Sequence, residues 1–132
     1  MAKVLGVALA TLTMGGAAMA DGNPLARYVW KSRVLVLAAP AAGDPRLAAQ
    51  RQALASVRTG ASERDLVTVE AVGDGPEAVA IRRRLGLPAD AFRAVLVGKD
   101  GGAKLTAQEP IPPQRLFSTI DAMPMRRDEM RR

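Results

Sequence analysis

The sequence predicts a mixed α/β domain, a central sheet with helices on both faces, and three observations predict it. Arg33–Ala39 (RVLVLAA) is a near-continuous apolar run of strand length, the pattern of a central strand covered on both sides. Segments with apolar residues at helical spacing alternate with further runs of this kind. Within Phe92–Leu105 (FRAVLVGKDGGAKL), Lys99-Asp100-Gly101-Gly102 separates two extended runs. Asp-Gly there is a strong hairpin signal, because tight primed turns need residues that tolerate positive φ.

Residues 1–20 read as a cleaved secretory signal peptide, with residues 21–132 forming a single domain and a short basic tail. Lys3 supplies the positive start, Val4–Ala18 is apolar apart from Thr11 and Thr13, and Ala18-Met19-Ala20 supplies the small-x-small cleavage pattern. The apolar run is shorter than the roughly 20 residues that cross a bilayer, so no membrane span is expected after cleavage. The expected location is periplasmic or secreted.

From Asn23-Pro24 a capped helix is expected to about Lys31, with Leu25, Tyr28 and Val29 on one side and Trp30 completing the core. The strand Arg33–Ala39 follows. Pro40–Asp44 is a loop, and Asp44-Pro45 caps a helix in which Leu47, Ala48, Leu54, Ala55 and Val57 recur at helical spacing, with Gly60 as its stop. Leu66–Val72 is the next strand, with Val67, Val69 and Ala71 on one face. Gly73-Asp74-Gly75-Pro76 turns the chain into a helix that carries Ala78, Ile81 and Leu85 inward and Arg82, Arg83 and Arg84 mostly outward, ending at Gly86. After the hairpin, Pro110, Pro112 and Pro113 open a last helix, Pro113–Met123, striped by Leu116, Phe117, Ile120 and Met123. Pro124 ends it, and Met125–Arg132 reads as a frayed, solvated tail. The resulting order, α-β-α-β-α-β-β-α, is a thioredoxin-like (peroxiredoxin-like) topology.

Composition excludes much chemistry. The chain has no cysteine and no histidine, so it has no thiolate for disulfide exchange or peroxide reduction and no imidazole base. It is neither a thiol oxidoreductase nor a peroxidase. The net charge is +6, and fifteen of the nineteen basic residues are arginine. For an exported protein with only Tyr28, Trp30, Phe92 and Phe117 able to stack, this reads as a solvated basic surface and not as a nucleic-acid site. Gly73-x-Gly75-x-x-Ala78 matches a dinucleotide fingerprint in outline only. Asp74 and Glu77 would set negative charge beside a pyrophosphate, and Pro76 removes a backbone donor. No cofactor and no metal are expected. The pairs Glu63/Asp65 and Asp128/Glu129 stand beside arginines, as surface ion pairs do.

The loop after the first strand is the candidate ligand site. In thioredoxin-like folds a reactive cysteine sits at the following helix N-terminus, where the dipole favours thiolate. Here Ala41–Arg46 occupies that place without sulfur. Arg93, just before the hairpin strand, is positioned to face this loop, and with Asp44, Arg46 and Gln50 it forms the candidate ligand-binding set. Two arrangements remain open, an anion received there or a plain Arg93–Asp44 pair. No catalytic residue is assigned.

Four strings carry a family resemblance: Trp30-x-x-Arg33, Glu63-Arg64-Asp65-Leu66, Gly98-Lys99-Asp100-Gly101-Gly102-x-Lys104 and Ile120-Asp121-Ala122-Met123-Pro124-Met125-Arg126-Arg127. Over Asn23–Met130 the chain resembles a bacterial exported family of unknown function, similar to the P-DUDES domains of animal extracellular-matrix proteins such as the sushi-repeat-containing ones. The resemblance implies a thioredoxin/peroxiredoxin-like fold without its redox centre, no established reaction and no catalytic residues to carry over. Arg93 resembles in position an arginine of peroxiredoxins, whose peroxidatic cysteine and supporting Thr/Ser have no counterpart here. The expectation is a non-catalytic exported module binding an unknown envelope protein or a small anionic ligand. The alternative is an enzyme of unrecognised type built on Arg93, Asp44 and Gln50.

Overall fold

The computed structural model describes residues 22–132, so the segment read as a signal peptide lies outside the described residues. Four strands, β1 (Arg33–Ala39), β2 (Leu66–Val72), β3 (Arg93–Val97) and β4 (Ala103–Ala107), form one open sheet in the order β2-β1-β3-β4. β1 and β2 are parallel, while β1/β3 and β3/β4 are antiparallel. The helices are α1 (Pro45–Ala55), α2 (Arg58–Glu63), α3 (Pro76–Leu85), α4 (Pro113–Asp121) and α5 (Pro124–Met130). No helix among the described residues is long and apolar enough to cross a membrane.

β1 is the centre because every one of its residues is buried, and its alternating side chains feed two cores. Leu35 and Leu37 meet Leu47 of α1 and Leu116 and Ile120 of α4 on one face. Val34, Val36 and Ala38 meet Ala78 and Ile81 of α3, with Leu25, on the other. The hairpin forms at the expected turn, where Gly101 takes φ +86. α3 ends as expected at Gly86, left-handed at φ +69.

Five expectations are corrected. The helix from Pro24 is only a 3-10 turn, Ala26–Tyr28, because so short a segment cannot offset the cost of helix nucleation. Trp30 is not core: it is 65% exposed, and Leu25 fills the place under the sheet. The helix from Pro45 stops at Ala55 and a second begins at Arg58, with Gly60 inside it. A Cβ at Gly60 would lie 2.7 Å from the Phe117 ring, so this glycine serves close packing instead of termination. Arg82 points inward, 6% exposed, with Nη1 donating to the Ala71 carbonyl at 3.4 Å. Finally, Pro124 does not end the chain's order. It occupies the first turn of α5, where its missing N–H is no loss, and the supposed tail is a helix.

Candidate functional site

Three of the four residues singled out in the sequence meet. Asp44 Oδ1 accepts from the Arg46 backbone N–H at 2.8 Å and caps α1. Arg46 Nε donates to both oxygens of Glu109 at 2.9 Å. Arg93 Nη1 donates to the Phe92 carbonyl at 2.7 Å, and among the described residues Arg93 forms no ion pair, with Asp44 or otherwise. With Asp90 they line a depression of about 250 Å³. Three carboxylates there face two guanidiniums, so the depression exerts no net pull on an anion. The Arg46–Glu109 pair is largely exposed and contributes at most about 1 kcal/mol.

Gln50 lies elsewhere. Its side chain is fully buried, Nε2 donating to the Ile111 carbonyl at 2.9 Å while Oε1 accepts the Ile111 N–H at 2.7 Å. The amide thus substitutes for a strand partner and fixes the segment entering α4.

A denser constellation surrounds Lys99, a residue the sequence assigned only to a turn. Arg33, the first residue of β1, is 1% exposed. Its Nη1 donates to the Arg64 carbonyl at 2.8 Å, and Nη1 and Nη2 fork onto the Glu129 carboxylate at 3.2 Å each. Nε of Arg33 has no partner among the described residues. Lys99 Nζ donates to Glu129 Oε2 at 2.8 Å and to Asp65 Oδ2 at 2.9 Å. Next to it, Asp121 takes a fork from Arg64 at 3.0 and 2.9 Å and a bond from Arg126 at 3.0 Å, and the Arg64 guanidinium stacks 4.1 Å from the Phe117 ring centroid.

The charges are held in place. Burial alone would raise the Glu129 pKa, but hydrogen bonds and charge from Arg33 and Lys99 outweigh it and hold the group at about 2. Burial opposes the Lys99 charge, and the hydrogen bonds it donates to Glu129 and Asp65, with their negative charge, reverse that, so its pKa rises.

Backbone strain gathers at the same point. Trp30 at φ +66 and Asp65 at φ +50 are the non-glycine residues with positive φ among the described residues. Both bond to Lys99, Trp30 through its N–H to the Lys99 carbonyl at 2.6 Å and Asp65 through its carboxylate. For an aromatic residue this conformation costs about 1–2 kcal/mol. It holds Trp30 at the rim of a mostly apolar cleft of about 480 Å³, walled by Lys104, Met123 and Met125 with Arg33 and Lys99 beneath. Such a volume suits a ligand or an inserted side chain. The sequence signal for this site lies in the four family strings, which hold Trp30 and Arg33, Asp65, Lys99 and Lys104, and Met123 and Met125. The carboxylate acceptor of Arg33 stands 96 positions along the chain, beyond any local pattern.

Two comparisons bear on the chain as a whole. The model of a family described as "Domain of unknown function (DUF4174)" matches residues 24–129. The sushi repeat-containing protein SRPX of Rattus norvegicus is 29% identical over 120 residues, a match covering 80% of this chain. The same match covers 26% of that protein, so this chain spans about a quarter of its length.

Two outcomes follow from this geometry. Gln50→Leu strands the Ile111 N–H and C=O in the core, and urea unfolding should show a loss of about 2–4 kcal/mol. For Glu129, the folded pKa lies below the ordinary 4.5, so the unfolded chain binds the extra proton. Its contribution is complete above about pH 4.5 and drains as pH falls toward 2, amounting to about 3 kcal/mol. The wild-type minus Glu129→Gln stability difference, measured from pH 7 down to 2.5, should therefore shrink through that window; a constant difference would contradict the assignment.

Proposed function

The chain belongs to the DUF4174 family, the domain-of-unknown-function group matched over residues 24–129, and from that premise we propose that it is a non-catalytic, exported thioredoxin-like module that seats an apolar side chain of a partner protein beneath Trp30. The thioredoxin-like assignment rests on the sheet: a parallel β1/β2 pair followed by an antiparallel β3/β4 hairpin, in the order β2-β1-β3-β4, with helices over both faces. Where such a fold carries its thiol, this chain has Ala41–Arg46. Export is supported by the apolar N-terminal stretch with its small-x-small ending and by the resemblance to matrix-protein domains.

The charges at this cluster support the non-catalytic reading. A general acid or base works with a pKa near the operating pH. Glu129 is pushed far below neutrality and Lys99 above its ordinary value, so both are fixed as ions that hold structure.

The observation that carries the reading is Trp30. The protein keeps its single tryptophan outside, in a conformation that glycine would adopt without cost, over a cleft lined by Met123 and Met125. Tryptophan and methionine at an open cleft are features of protein-binding surfaces.

Trp30→Gly separates binding from folding, because glycine relieves the strain while removing the anchor. Its unfolding free energy should stay within about 1 kcal/mol of wild type. Proteins captured from an envelope or extracellular extract by the immobilised wild type should fall about tenfold or more on Trp30→Gly and on Met125→Ala, read by quantitative mass spectrometry. An unchanged set of captured proteins would overturn the proposal.

A further inference from the structure

The two outer strands of the sheet are built differently. β4 has five residues, carries Lys104, and is interrupted by a register shift opposite Leu96/Val97. These are the devices that keep an edge from pairing with another chain. β2 is seven residues long, in unbroken register with β1 throughout, with no proline, lysine or bulge. Its one charge, Glu70, is neutralised by a fork from Arg51 at 2.6 Å.

Period two tells which backbone groups of β2 are unused. The Asp65 carbonyl accepts from the Arg33 N–H, and the Gly73 N–H donates to the Ala39 carbonyl, so the odd-numbered residues between them bond inward to β1. Leu66, Thr68, Glu70 and Val72 then turn their N–H and C=O groups to the outer side, where no backbone group among the described residues meets them. A cleft of about 560 Å³ runs along this edge, between β2 and the α1–α2 corner at Ala55 and Arg58.

We propose that β2 pairs antiparallel with β2 of a second copy of this chain about a two-fold axis at Val69, joining two four-stranded sheets into one. That register matches all four outward residues: Leu66 lies opposite Val72, and Thr68 opposite Glu70. On the other face Val67 lies opposite Ala71 and Val69 opposite itself. Apolar groups meet apolar groups, and the two polar residues meet each other. The ends of the strand select a second copy over an unrelated peptide. Exposed Arg58 lines the edge cleft together with Leu66, Val67, Thr68 and Glu70, exposed Asp74 lies two positions beyond the last residue of β2, and neither has an ion-pair partner among the described residues. Antiparallel self-pairing brings Arg58 of each copy to Asp74 of the other, twice, by symmetry.

Sedimentation of the purified chain should show a dimer at about 100 µM; a monomer at that concentration would overturn the proposal. Thr68→Pro removes an outward N–H and leaves the bonds to β1 intact, so it should give a monomer with unchanged circular dichroism. A folded Thr68→Pro dimer would place the interface elsewhere and overturn it. Arg58→Asp should raise the dimer dissociation constant about tenfold, and adding Asp74→Arg should restore it; no rescue in the double variant would exclude the two-fold register.

Discussion

The Arg33 guanidinium is buried at the head of the central strand, and its need for a counter-charge sets where the pieces around the sheet are placed. A lone cation placed there would cost several kilocalories per mole, more than most single contacts supply. The chain answers with Glu129, brought back from its far end, and with Lys99 and Asp65 closing the circuit. One carboxylate therefore joins the start of β1, the hairpin turn and the last helix. Asp65, immediately before β2, is bound to the same lysine, so the entrances to both parallel strands are tied to one knot.

This knot also explains the form of the cleft. The Lys99 carbonyl takes the Trp30 N–H, while Met123 at the N-cap of α5 and Met125 in its first turn supply the other wall. Ordering α5 through Glu129 and fixing the turn through Lys99 place both walls of the cleft at once. Without disulfides, the protein relies for stability on the two apolar cores flanking β1, and the ion cluster sets where the peripheral pieces sit on that framework.

What was legible in the sequence was what short-range physics decides. Apolar runs marked β1 and β2 with their observed limits, Asp-Gly marked the hairpin, and Pro76 and Gly86 bounded α3. The failures were places where a distant partner changed the answer. Arg82 follows the polar side of its helix yet bends in to the Ala71 carbonyl, and Gln50 resembles any surface glutamine until Ile111 is set beside it. The last eight residues read as a tail because seven helical residues do not hold alone, and they hold here through Glu129 and Arg126. At the site, the Asp44 cap was visible from Asp-Pro, but Glu109 as the partner of Arg46 was not. Trp30 was assigned to the core because size and apolarity usually decide, and its left-handed backbone leaves no trace in composition.

Hydrogen–deuterium exchange of the wild type and Glu129→Gln reads whether one carboxylate holds both the last helix and the hairpin turn. Slow exchange is expected at the α5 amides and the Gly98–Gly102 turn in the wild type, lost at both together in the variant while β1 stays protected. Exchange of α5 at random-coil rates in the wild type, or loss of its protection with the turn unaffected, would contradict that role of Glu129.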